Sequence, residues 1–167
     1  MQLSKNSIIT ASLSILSNFG LADMTMRRVA TQLNVAPGAL YWHFKNKQAL
    51  IDATAREILS DFLLSSPPSF DAACSSLRAA MLSIRDGAEL ISAALIDPQL
   101  REEVTGILST SLGENAPRMA AATALHFVMG ATVLEQSEIQ QHKTIGMEEE
   151  FLAGLALITT GIEYSKG

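Results

Sequence analysis

The sequence predicts an all-α chain, with a small three-helix unit at the N-terminus and a larger helical body behind it. Three observations predict this. Apolar residues recur at three- and four-residue steps along nearly the whole chain. No useful run alternates with the period of two that a half-buried strand requires. Gly, Pro, Asn and Ser fall where such helices must start or stop. No internal repeat stands out.

The elements follow in order. Ile9, Leu13, Leu16 and Phe19 make the apolar stripe of a first helix, which Gly20 stops. Thr25 offers a hydroxyl N-cap to a short second helix through Val29, Ala30 and Leu33. Asn34 tolerates a positive φ at its end. Pro37 suits the first turn of a third helix, where its missing N–H costs nothing; that helix is expected to carry Leu40, Tyr41 and Trp42. Asn46 caps a fourth, with Ile51, Ala55, Ile58 or Leu59, and Phe62 along one stripe. Ser65-Ser66-Pro67-Pro68 is the clearest linker. Beyond it, helices are expected at 70–86, 88–95 and about 98–112. A long one, opened by Asn115 and Pro117, runs to about 137. The last spans about 147–164, with Glu148, Glu149 and Glu150 in the first turn, where the helix dipole favours acids.

Composition narrows the class. Hydrophobic residues make up 48% of 167, too many for a disordered chain. Cys74 is the only cysteine, which excludes an internal disulfide framework and a cysteine-rich zinc site. No apolar run reaches membrane-spanning length, and no signal peptide is evident, so a soluble cytoplasmic protein is expected. Catalysis finds no constellation: there is no G-x-S-x-G, and His43, His126 and His142 fall on separate elements without metal-ligand spacing. No cofactor or metal is expected.

Charge divides the chain. Residues 1–50 hold five basic residues against Asp23 alone, a net of +4. The remainder holds seven basic and sixteen acidic residues, a net of −9. One basic end on an acidic body hints at nucleic-acid contact by that end.

The informative stretch is Thr25 to Leu50. Two short helices meet at a tight turn, with small Ala30 at their crossing and Val29, Leu33, Val35 and Leu40 as apolar contacts. This is helix-turn-helix spacing, whose second helix enters a major groove. Thr25 can reach phosphate as well as cap. Arg27 and Arg28 lie at the start of helix two, where Arg27 can reach a base or phosphate. Pro37, Gly38 and Ala39 form a tip with little bulk, so backbone can approach the groove and Ala39 can touch a thymine methyl. Tyr41 and His43 can donate to phosphate. Trp42 joins this surface, though its ring could instead pack the unit. Lys47 opposes the dipole of helix four, a position that an external phosphate would compensate.

The pattern Thr25, Arg27, Ala30, Leu33, Val35, Leu40, Tyr41, His43, Phe44, Lys47 and Leu50 resembles the TetR family of bacterial transcriptional regulators. The run Leu40 to Lys47 is especially similar to the family's tetracycline-responsive repressors. The resemblance implies a DNA-binding domain over 1–45 and an effector-binding and dimerisation domain over 46–167, with 46–64 as connector. It implies a homodimer that binds double-stranded DNA at a palindromic operator and is released by a small-molecule effector. Arg85-Asp86-Gly87-Ala88 and His126-Phe127 also have counterparts there. A histidine that helps bind a drug–magnesium chelate is expected six residues after the arginine; here Ile91 stands in that place and cannot ligate metal. A different effector is expected, in a pocket walled by Phe62, Met81, Ile84, Arg85, Ile91, Leu95, His126 and Met129. At their helical spacing these residues also read as core, and His126 reads as a buried histidine. The dimer is expected to use the last two helices, where Ala120, Ala121, Ala122, Gly130, Ala131, Gly154 and Gly161 permit close approach. A regulator without effector, or a helical protein-interaction module, are the alternatives.

Overall fold

The computed structural model describes residues 3–114, 116–117, 119–141 and 147–165; Asn115 and His142 lie outside them. Every regular element among the described residues is a helix. The fold begins with α1 (Lys5–Phe19), opened by a reciprocal cap. The Ser7 N–H donates to Ser4 Oγ at 3.1 Å, and the Ser4 N–H donates to Ser7 Oγ at 2.9 Å.

The inward face of α1 corrects the expected stripe. Ile8, Ala11, Ser12, Ile15 and Leu16 are buried, Ile9 and Leu13 are half-buried, and Phe19 is exposed. Both sets have helical spacing, and periodicity alone does not say which one faces the partners. Ser12 is tolerated inside because its hydroxyl donates to the Ile8 carbonyl at 2.9 Å. Gly20 ends the helix with φ +88°, a conformation that favours glycine.

Helix α2 (Met26–Gln32) is capped by Thr25, whose Oγ1 accepts the Arg28 N–H at 3.2 Å. Asn34 turns the chain with φ +55°, and the Val35 N–H returns to the Ala30 carbonyl at 3.0 Å. Helix α3 (Pro37–Leu40) is shorter than expected: Tyr41 is already its C-cap, and Trp42 and His43 lie in the following turn. The His43 and Phe44 N–H groups both return to the Leu40 carbonyl, a tight turn that ends the helix and drops Phe44 into the core.

Helix α4 (Lys47–Ile58) starts under the Asn46 cap, which accepts the Ala49 N–H at 2.8 Å. A break at Leu59 separates it from α5 (Ser60–Leu63). Leu50, Ile51, Thr54, Ala55, Leu59 and Phe62 are its buried side chains.

The body follows as α6 (Phe70–Leu82), α7 (Gly87–Ala94), α8 (Pro98–Leu112), α9 (Ala120–Gln140) and α10 (Met147–Tyr164). The expected 70–86 helix stops at Leu82 because residues 83–86 turn, with Asp86 in the left-handed region at φ +55°. Helix α4 packs against α7, α6 against α8 and α9, and α10 against α9. One continuous apolar cluster runs from Ile8 in α1 through Leu50, Leu77, Leu90, Val104 and Val128 to Ile162 in α10. Such a cluster ties the N-terminal unit to the body.

Two polar devices lock the body. The Arg78 guanidinium donates twice to the Glu135 carboxylate, at 2.7 and 2.5 Å, and lies 5.1 Å from the Phe151 ring centroid. Gln136, reaching from α9, accepts the Ala88 N–H at 2.9 Å and donates to the Ile84 carbonyl at 2.9 Å. It caps α7 in place of a local side chain. Cys74 is buried, and burial pushes its thiol up to about 12, far from a reactive thiolate.

Candidate nucleic-acid interface

The outer surface of the N-terminal unit gathers most of the predicted contacts. Leu40 and Phe44 are buried and anchor the segment from below. The turn between them is held by the His43 and Phe44 N–H groups, both donating to the Leu40 carbonyl at 2.9 Å. That anchoring turns the intervening side chains outward. Trp42 is 90% exposed and Tyr41 53% exposed, so Trp42 does not pack the unit. Tyr41 and Trp42 together present two adjacent exposed rings on this turn.

The rest of the tip is open. Pro37 and Gly38 are exposed, Ala39 and His43 half-buried. A Cβ on Gly38 would meet nothing within 4 Å. Arg27, Lys45 and Lys47 are exposed and hold no salt bridge among the described residues. Lys47 occupies the first position of α4, where its charge opposes the dipole.

Arg28 differs from its neighbour. Its Nη1 donates to Asp23 Oδ1 at 2.5 Å, and its guanidinium carbon lies 4.0 Å from the Phe19 ring centroid. This cation is neutralised and stacked within the chain, and it holds the start of α2 against the end of α1. An open concavity lined by Phe19, Asp23, Thr25, Arg27, Arg28, Thr31 and Gln32 lies beside it. Sequence reasoning passed over Thr31 and Gln32, which their position on the same helix face could have suggested.

The expected effector wall does not form one pocket. Phe62, Met81, Ile91 and Leu95 are fully committed to the core, and Ile84 is half-buried against it. His126 is exposed rather than buried. With Met129, Gly130, Val133, Leu134 and Ser92 it lines an open groove on α9. Arg85 is exposed and points toward the N-terminal unit, its Nη1 3.4 Å from the Asn18 carbonyl. A shared helical face does not tell a packed interior from a cleft.

Arg85 and Asp86 instead form a second bridge between unit and body, beside the covalent one through α4. The Leu21 N–H donates to Asp86 Oδ2 at 2.7 Å, and Gln140 Nε2 donates to Asp86 Oδ1 at 2.5 Å. One carboxylate thus joins the α1–α2 turn to the end of α9. The connector has its own ties: Gln48 Nε2 donates to the Ala93 carbonyl at 3.2 Å, and Arg56 grips Glu103 at 2.6 and 3.2 Å. Sequence reasoning singled out the Arg85-Asp86 run without reading this role, because a 65-residue separation leaves no local signal.

Comparison with known proteins gives this geometry its context. The family described as "Bacterial regulatory proteins, tetR family" matches residues 8–54. The tetracycline repressor protein class A from transposon 1721 of Escherichia coli is 33% identical over 152 residues, covering 81% of this chain and 68% of that one. The crystal structure of BioQ with its double-stranded DNA operator is 37% identical, with a TM-score of 0.84 over 96% of this chain and 98% of that chain. TetR-Q116A from Acinetobacter baumannii AYE, in complex with minocycline, is 28% identical, with a TM-score of 0.76 over 99% of each. The helix-turn-helix, the helical body and these likenesses along most of the chain lead to one conclusion: the protein belongs to the TetR family of bacterial regulatory proteins.

Proposed function

We propose that this protein is a transcriptional repressor that binds a palindromic operator as a homodimer and is released by a small-molecule effector. The observation that carries this is the α3 tip: an exposed Tyr41 and Trp42 beside unpaired Arg27, Lys45 and Lys47, on a helix-turn-helix unit. Residues 1–45 serve as the DNA-binding domain, and residues 46–167 carry effector and dimer contacts, with 46–64 as connector. Arg27 and Ala39 read bases. Thr25, Tyr41, His43 and Lys47 hold phosphates, and Pro37, Gly38 and Trp42 shape the approach to the groove. Arg28 positions α2 from behind. No catalytic step is involved.

The dimer rests on α9 and α10. Leu134 is 64% and Leu157 76% exposed, and Met119, Leu152 and Tyr164 add to an apolar surface that a monomer would leave wet. Two helices from each protomer make a four-helix bundle, which sets two reading units on one face of DNA. Effector binding in the body acts on the units through α4 and through Asp86. A change at either reaches the unit, because α4 packs on α1 and Asp86 holds the α1–α2 turn.

Capture of genomic fragments by the purified protein tests the reading. Enrichment of a few palindromic sites, from a particle near twice 17.9 kDa, is the expected result. Sequence-indifferent capture, or a sedimentation mass near 18 kDa at micromolar concentration, would overturn it. A second reading, a regulator without effector, is favoured by the close packing of Phe62, Met81, Ile91 and Leu95. It predicts operator affinity that no small molecule of the source cell alters.

A further inference from the structure

The groove between the linker and α8 has a chemistry of its own. Ser65, Ser66 and Pro67 form one side; Glu103, Gly106, Ile107, Thr110 and Ser111 form the other, around a cavity of about 360 Å³. That volume suits a small metabolite.

Its polar lining is made almost wholly of acceptors. Ser65 Oγ donates its proton to the Phe62 carbonyl at 2.6 Å. Thr110 Oγ1 donates to the Gly106 carbonyl at 2.9 Å, and Ser111 Oγ donates to the Leu108 carbonyl at 2.8 Å. A hydroxyl has one proton and two lone pairs. With the proton spent on its own helix, each of these oxygens can only accept from a ligand. Glu103 adds a carboxylate, and no basic residue lines the groove. The surrounding body is acidic overall, with sixteen acids against seven bases from residue 51 onward. Ile107 and Pro67 supply apolar walls.

We infer that this groove binds a small organic cation, an amine or guanidinium with several N–H donors and a short apolar body. The inference rests on the effector reading above and gives that effector a site and a class. Its consequence for DNA follows from Glu103. This carboxylate already holds Arg56 of the connector, at 2.6 and 3.2 Å. A ligand cation bound to the same oxygens competes with Arg56, and α4 loses a tie to α8. The same Arg56 Nη2 lies 3.7 Å from Asp97, the N-cap of α8, so the released guanidinium is drawn from the middle of α8 toward its start.

Isothermal titration of the full-length protein with agmatine, free of DNA, tests the site. Glutarate and glycerol serve as anionic and neutral controls. Saturable binding of agmatine at one site per chain, with neither control bound, is expected. Glu103→Gln should weaken agmatine binding by about tenfold or more, as loss of a charged hydrogen-bond partner does. Gly106→Leu keeps the Arg56–Glu103 pair and fills the groove, since a Cβ on Gly106 meets nothing within 4 Å. It should abolish agmatine binding and leave operator binding intact. Absence of saturable agmatine binding, undiminished binding by Gly106→Leu, or preference for glutarate would overturn the site. Operator affinity measured with agmatine should fall by about 5–150-fold, the usual range of coupling. Agmatine bound with operator affinity unmoved would uphold the site and overturn effector release. Release by another compound class, with agmatine unbound, would do the reverse.

Discussion

Lys47 and Arg27 both present an unpaired cation at the N-terminal unit, yet their positions assign them different work. Lys47 is exposed at a helix start, where its charge opposes the dipole and an external phosphate would compensate it. Lys47→Ala should weaken operator and random DNA alike and reduce the salt slope by about 1; an unchanged slope in salt-titrated binding would remove the phosphate role. Arg27 is exposed on α2 and holds no salt bridge among the described residues. Arg27→Ala should chiefly relax sequence preference, read as a narrowed gap between operator and random DNA; equal losses on both would refute base contact. The charges of Lys47 and Arg27 and their place at helix starts were legible in the sequence because both are local properties. Thr25, Asn34 and Asn46 were legible for the same reason, each set by its own backbone position. Arg28 was not, since Asp23 and Phe19 claim it only once α1 and α2 have packed.

At the scale of elements, most helices and their boundaries could be read from period and punctuation. The face that each helix buries was harder. In α1 two overlapping stripes satisfy the same period, and contact with α2 and α4 selects Ile8 over Ile9. Glutamate 135 carries a similar lesson. Its charge is spent on Arg78, across 57 residues, a pairing that no local spacing announces. Arg78→Ala would strand that carboxylate where only 8% of its side chain meets solvent, at a cost of about 3–5 kcal/mol. Urea denaturation reads the loss, and a change below 1 kcal/mol would show that the pair is dispensable. The small residues of α10 also divide. Gly154, expected at the dimer surface, faces its own chain: a Cβ there would come 2.5 Å from the Phe127 ring, which stacks on Phe151. Gly154→Ala should therefore destabilise the fold by about 1–3 kcal/mol despite alanine's better helix propensity. A gain in melting temperature would show that the ring yields freely. Gly161, with nothing within 4 Å of its Cβ position, remains available to a partner.

For the whole molecule, acid is the natural lever on the connector. The Arg56 hydrogen bond, opposed by partial desolvation, holds the Glu103 carboxyl below its ordinary value. A lowered value in the folded state means that the pair stabilises the fold above the unfolded carboxylate range. That contribution is lost as pH falls through the lowered value. The melting temperature of the parent should thus fall more steeply than that of Glu103→Gln below about pH 4.3, where free glutamate titrates. Parallel acid limbs in calorimetry would contradict the pairing. The architecture was readable at this scale from the basic–acidic division and the linker. The groove between the linker and α8 was not, because a cavity is a property of how helices meet and leaves no period.

The clamp between the α1–α2 turn and the body has a consequence for how such regulators can be recombined. Asp86 grips the main-chain N–H of Leu21, not a side chain. The preceding Gly20 leaves no Cβ where the Asp86 carboxylate lies. The body therefore imposes almost no requirement on the identity of the residues that read DNA. A foreign reading unit spliced in ahead of residue 46 should dock on this body if it keeps glycine at position 20 and the packing face of α1. Operator choice and ligand choice would then be exchangeable across a seam that asks for glycine at position 20 and the apolar face of α1, and for nothing on the reading surface.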